Sequence, residues 1–148
     1  MNMILTQKIP PNVTEKISFT LALTAEDRVR SRHHFESDGQ SFSLQLPRGT
    51  VLHHNDLLKA ESGELVQIIA KPEPVITVTA KTPLELLKAA YHLGNRHVPL
   101  EVTATHLRLS PDSVLKSMLE QLGAQVIEEI LPFQPETGAY SHAQSHDH

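Results

Sequence analysis

Tyr91-His92-Leu93-Gly94-Asn95-Arg96-His97-Val98-Pro99-Leu100 is the stretch where a helical pattern stops and an extended one begins. A glycine just past a last helical turn, followed by asparagine, supplies the left-handed conformations that a sharp reversal needs. The turn is therefore expected on Gly94 and Asn95, which fixes His97 near the first residue of a strand.

Working upstream, Thr82-Pro83-Leu84-Glu85 predicts a helix start, with Thr82 as cap, Pro83 at the first helical position and Glu85 completing a capping box. That helix runs to about Leu93. Before it, Val75 to Ala80 is rich in β-branched residues and reads as a strand. Downstream, His97 to Thr103 and His106 to Leu109 read as two more strands. Ser110-Pro111 opens a second helix in which Leu115, Met118, Leu119 and Leu122 fall at i, i+3, i+4 and i+7, and Gly123 closes it. Gln125 to Leu131 is the last strand.

The order β, α, β, β, α, β is that of the split βαβ, or ferredoxin-like, arrangement, with the second strand at a sheet edge and helices on one face. Pro99 fits an edge, where a missing donor does little harm. Alternation places Val98, Leu100 and Val102 under the helices and His97, Pro99 and Glu101 on the uncovered face.

From Met1 to about Lys71 the pattern differs. Short apolar runs (Met3 to Leu5, Phe19 to Leu23, Phe42 to Leu46, Val51 to Leu52, Leu65 to Ala70) are separated by turn formers such as Asp38-Gly39 and Pro47-Arg48-Gly49, as in an all-β unit. Ser41 to Leu46 alternates, with Phe42, Leu44 and Leu46 on the buried side. The two prolines of Lys71-Pro72-Glu73-Pro74 mark the joint. The expected organisation is α+β: an all-β domain over 1–72, a ferredoxin-like βαββαβ domain over 73–135, and a flexible histidine-containing tail over 136–148. Two domains this small would each be marginal, so association with a second copy is a natural source of extra burial.

A net charge of -4 argues against nucleic acid as a partner, because binding its backbone needs a basic surface. No apolar run approaches the length of a membrane span, and the first residues lack the pattern of a secretory signal, which points to the cytoplasm. The absence of cysteine excludes disulfides and thiolate ligands, so any metal must be held by histidine, carboxylate or backbone. Ten histidines against two tyrosines and four phenylalanines raise the prospect of metal binding or pH sensing.

Among these histidines, His97 is expected on the open sheet face of a domain in need of a partner. If two copies pair about a two-fold axis through that face, two imidazoles can share one ion. In the tail, His142, His146 and His148 lie at short spacing, a composition that binds metal without a fold. His33-His34 and His53-His54 are neighbours whose side chains diverge on a regular strand, so they read as exposed or turn residues. His92 suits the negative end of a helix, and His106 is a weaker candidate for the open face. Arg28, Arg30 and Arg32 alternate, which on a strand would set three guanidiniums on one face, either solvated or meeting an acidic partner. There is no HExxH, GxSxG or phosphate-cradling loop, so no enzyme is indicated. The residues alone lead to a histidine-dependent metal binder, or else to a protein- or peptide-binding module in which the histidines are incidental.

Three blocks in order, LPRGTVLHHNDLL (46–58), YHLGNRHVPL (91–100) and PFQPETGAY (132–140), followed by the histidine-bearing tail, resemble UreE, the urease accessory protein family. The resemblance implies a homodimeric nickel metallochaperone that delivers Ni(2+) to the urease apoprotein assembly complex together with the urease accessory GTPase. It implies a peptide-binding-like first domain and a ferredoxin-like second one. His97 matches the histidine that binds the ion at the dimer interface, and His142, His146 and His148 match C-terminal histidines that add ligands. Zinc and copper suit the same donors in vitro. Pro111 and Ser113 stand where some relatives carry a His-x-His pair, so no second site is expected there.

Overall fold

The computed structural model describes residues 2–11 and 14–137, which form two compact units divided between Lys71 and Pro72. In the first unit, β1 (Asn2–Ile9), β2 (Ile17–Leu23), the one-turn helix α1 (Ala25–Arg28), β3 (Arg32–Ser37), β4 (Gln40–Gln45), β5 (Leu57–Ala60) and β6 (Leu65–Ala70) follow in sequence. The strands make one mixed sheet in the order β2-β6-β5-β1-β4-β3. Phe42, Leu44 and Leu46, the alternate residues of 41–46, are fully buried, and Phe19 meets Phe42 edge to face at 6.1 Å. With Leu5, Leu21, Leu58 and Ile68 they form the core of this unit.

The arginine alternation does not make a strand face. Thr24 accepts the Asp27 N–H at 3.3 Å and starts α1, which ends on a buried Arg28 whose Nη1 donates to the Leu23 carbonyl at 2.9 Å. Arg30 turns back to Glu26 and Asp27, at 3.3 and 3.9 Å, leaving only Arg32 on β3. A capping threonine and two acidic residues in the next turn outweigh the alternation, because they satisfy and complement a helix N-terminus.

The second unit contains β7 (Pro72–Thr79), α2 (Pro83–Asn95), β8 (Glu101–Val102), β9 (Leu107–Leu109), α3 (Ser113–Gln121) and β10 (Gln125–Pro132). Its antiparallel sheet has the order β10-β7-β9-β8, which is the ferredoxin-like strand order with the second strand at an edge. Pro72 and Pro74 lie in β7, where only β10 pairs with it; β9 covers Ile76 to Val78 alone, so neither proline faces a second ladder there. Both helices cover one face. Leu86, Ala89 and Leu93 of α2 and Leu119 of α3 pack with Ile76, Val78, Leu107 and Leu109.

The helix caps are local. Thr82 Oγ1 accepts the Glu85 N–H at 3.1 Å, and Pro83 begins α2 as the pattern predicts. The second helix starts later than Ser110-Pro111: Asp112 is the cap, its Oδ1 accepting from Val114 and Leu115 at 2.9 and 3.0 Å. A carboxylate there satisfies two orphan N–H groups and also complements the helix dipole with a full charge, which a hydroxyl lacks.

Candidate functional site

The site begins at the end of α2, and the turn differs from the one expected. Gly94 and Asn95 are both helical. Arg96 is the C-cap, and the left-handed residue is His97 itself, with φ 58°. The His97 N–H donates to the Gly94 carbonyl at 3.0 Å and the Val98 N–H to the Leu93 carbonyl at 3.3 Å, the paired bonds of a Schellman ending with His97 in the position glycine usually fills. The apolar contact of that motif joins the residue after the left-handed one to the helix three residues before the cap. Only with His97 in that place are these Leu93, fully buried, and Val98, packed on the same core. Had Gly94 turned, the pair would have been Ala90 and the polar Asn95.

Two further contacts hold the turn. Arg96 Nη1 folds back to the His92 carbonyl at 2.9 Å, satisfying an acceptor left over at the helix end. Leu93 and Val98 bury the base of the turn while His97 stays exposed. His97 lines an open groove of ≈ 300 Å³ together with Arg96, Val98, Pro99, Pro111 and Asp112. It does not begin a strand. β8 is confined to Glu101 and Val102, because Thr103 and His106 close a tight turn: Thr103 accepts the His106 N–H on its hydroxyl at 3.0 Å and donates its own N–H to the His106 carbonyl at 3.0 Å. Of the residues expected under the helices, Val98 and Leu100 are in the core, but Val102 is 46% exposed at the sheet edge.

His97 brings one ring nitrogen. Among the described residues no group of three or more His, Cys, Asp or Glu side chains stands together in a way that could hold a metal. His142, His146 and His148 lie outside the described residues.

His106 sits in the turn and joins a different cluster. The register places Thr77, Arg108 and Glu101 in one row across β7, β9 and β8. Arg108 Nε donates to Thr77 Oγ1 at 3.1 Å and its Nη1 to Glu101 Oε2 at 3.1 Å. The other carboxylate oxygen of Glu101, Oε1, accepts the backbone N–H of Gln134 at 2.9 Å, and the N–H of Glu136 reaches the Leu100 carbonyl at 2.8 Å. His106 Nε2 is buried 3.9 Å from Glu101 Oε2 without a hydrogen-bond partner. The pattern had assigned Glu101 to the open face but no task; its signal was an acidic and a basic residue at matching positions of a short hairpin, Glu101 and Arg108.

The histidines of the first unit make local contacts. His54 Nδ1 accepts the Ala70 N–H at 3.0 Å at the end of β6, and the His53 N–H donates to Asp56 Oδ2 at 2.8 Å. His34 meets Ser43, and His33 lies edge-on against Phe35 at 4.7 Å.

Comparison with known proteins covers both units. Residues 4–71 match the family described as UreE urease accessory protein, N-terminal domain, and residues 73–148 match UreE urease accessory protein, C-terminal domain. The chain is 63% identical over 144 residues to the urease accessory protein UreE of Nostoc punctiforme, covering 95% of this chain and 97% of the relative. It is 59% identical over 144 residues to that of a Nostoc species, covering 96% and 98%, and 57% identical over 144 residues to that of Microcystis aeruginosa, covering 93% and 91%.

Proposed function

The chain belongs to the urease accessory protein UreE family, and from that premise we propose that it is a nickel carrier for assembly of the urease metallocentre. Membership makes it an accessory protein in urease maturation rather than an enzyme. The nickel ion is cargo. Its first ligand is His97, and in a homodimer the His97 rings of two copies share one ion, with His142, His146 and His148 completing the ligands.

The observation that carries this reading is the exposed imidazole on a backbone fixed by two hydrogen bonds and a buried Leu93. Neutral imidazole suits Ni(2+), and equally Cu(2+) and Zn(2+), so selectivity rests on partners and supply. A carrier must also let go. One nitrogen from each of two chains gives a centre that loses half its fixed ligands when the copies part or a receiving protein competes.

The tail is tethered where it can help. Glu136 is bonded to Leu100, three residues from His97, and His142 follows six residues later. Six residues span at most about 20 Å, so the first tail histidine can reach the ring of its own chain. The receivers on this reading are the urease accessory GTPase and the urease apoprotein assembly complex, in the cytoplasm. Among the described residues no helix is long and apolar enough to cross a membrane.

Equilibrium dialysis against Ni(2+) at neutral pH tests the proposal, using the wild type, His97→Ala and a chain ending at Tyr140. Loss of the tightest site in His97→Ala, and of capacity in the shortened chain, is expected. An unchanged tightest site in His97→Ala would reject the assignment.

A further inference from the structure

We infer that His54 is an acid-sensitive latch in the first unit: its neutral ring holds the end of β6, and a proton on that ring releases the last residues before the chain passes into β7 at Pro72. The inference goes beyond the nickel-carrier reading and does not depend on it.

His54 Nδ1 accepts the Ala70 N–H at 3.0 Å. A peptide N–H can only donate, so Nδ1 must offer a lone pair, and the ring is the neutral tautomer with its proton on Nε2. His54 is exposed, whereas Ala70 is 2% exposed. The end of a buried strand is thus closed by a group that solvent protons reach freely. Protonation turns Nδ1 from an acceptor into a donor, and two donors then face each other across the same gap. A buried N–H left without an acceptor costs more than the bond itself contributed.

The neighbouring bonds do not pass through a titratable group. The Asn55 N–H reaches the Ile68 carbonyl at 2.7 Å, the Ile68 N–H reaches the Asp56 carbonyl at 2.8 Å, and the Lys71 N–H reaches the Leu23 carbonyl at 2.9 Å. Of these four rungs, the Ala70 one alone ends on a side chain that can take up a proton. The charges nearby do not favour a cation there. Arg28 Nη1 shares the Leu23 carbonyl with Lys71, and the carboxylate of the turn, Asp56, is already engaged by Lys8 at 3.1 Å and by the His53 N–H at 2.8 Å. A positive His54 joins Arg28, Lys71 and Lys8 beside a carboxylate that is taken. His53 responds in the opposite sense: its Nδ1 lies 3.7 Å from Asp56 Oδ2, so a proton on that ring adds an attraction within the turn.

Amide hydrogen exchange on the full chain, followed by NMR from about pH 8 down to about pH 5.5 and corrected for the intrinsic rate, tests the latch. On acidification the Ala70 amide is expected to lose protection by about tenfold while the Ile68 amide keeps its own. His54→Asn places a non-titrating Oδ1 at the same number of bonds from the backbone as Nδ1, and is expected to protect Ala70 across the whole range. His54→Ala is expected to leave Ala70 unprotected throughout, and His53→Gln to keep the wild-type response. Imidazole 15N spectra of the unsubstituted chain at about pH 8 read the tautomer directly, with the proton expected on Nε2.

An Ala70 amide equally protected at both ends of the range would overturn the inference, as would a neutral His54 ring with its proton on Nδ1. So would an acid loss that persists in His54→Asn, since another group would then be titrating. Loss at Ile68 in step with Ala70 would count the same way, because the unit would be opening as a whole. None of these results bears on nickel binding.

Discussion

His97 holds at the end of α2 the left-handed position that Gly123 holds at the end of α3, with φ 58° and 89°. The bonding is the same at both ends: Gly123 donates to the Glu120 carbonyl and Ala124 to the Leu119 carbonyl, each at 3.0 Å. Glycine takes this conformation without steric cost, whereas a residue with a Cβ sacrifices roughly 1–2 kcal/mol. The chain carries that strain at the histidine proposed to bind nickel and avoids it at the other helix end. Strain of this kind survives where the surroundings over-determine it.

Replacing His97 by glycine should relieve the strain. We expect His97→Gly to keep or raise stability, by up to about 1 kcal/mol once the entropy of glycine is subtracted, while removing the tight nickel site. Gly123→Ala should do the reverse, lowering stability by about 1 kcal/mol and leaving nickel binding unchanged. Urea unfolding with parallel nickel dialysis reads both, and a destabilised His97→Gly would show that the imidazole itself supports the fold.

Asp112 caps α3 with two hydrogen bonds, to Val114 and Leu115. Loss of such a cap costs about 1 kcal/mol, and Asp112→Asn, which retains an acceptor oxygen, should recover most of it. Chemical denaturation of Asp112→Ala and Asp112→Asn measures the difference.

Nickel affinity should fall on acidification, because imidazole must lose its proton before it can ligate. Dialysis at a series of pH values from about 8 down to about 5.5 gives the slope. A site held by more than one histidine should lose affinity with more than one proton, so a flat profile would exclude imidazole ligands.

Lys116 ties α3 to β10 through Glu128, 3.0 Å away, and the hydrogen bond and charge of Glu128 raise its pKa above the usual 10.5. A raised pKa in the folded state means that the ammonium form favours folding. Its contribution is complete below pH 10.5 and is lost as pH rises through the higher folded value. The stability gap between wild type and Lys116→Met should accordingly close in strong alkali, as followed by thermal melts across pH 9 to 12 (an approximate window around the lysine range).

The βαββαβ order could be read in advance because its signals are local: Thr82, Pro83 and Glu85 at one helix start, Gly123 at one helix end, and a 3.6-residue period in α3. The turn at His97 could not, because Gly94 and Asn95 are the better left-handed residues by type. A tertiary contact, Leu93 against Val98 in the shared core, outweighs that preference and moves the turn onto the histidine. The Arg28 to Arg32 alternation failed for a similar reason, since one capping threonine decides the local structure. Glu101 and Arg108 are separated by a turn whose length depends on Thr103 bonding to His106, so their meeting required the register. The tail histidines were legible only as composition.

The bond from Glu136 to Leu100 also bears on how copies of the chain can meet. It lies at the start of β8, a strand of two residues at the open edge of its sheet. Unpaired edge backbone is a template on which a foreign strand can grow. By laying its own C-terminal segment against that edge, the chain takes up an acceptor that another molecule would seek. That acceptor is thereby closed to backbone pairing from outside.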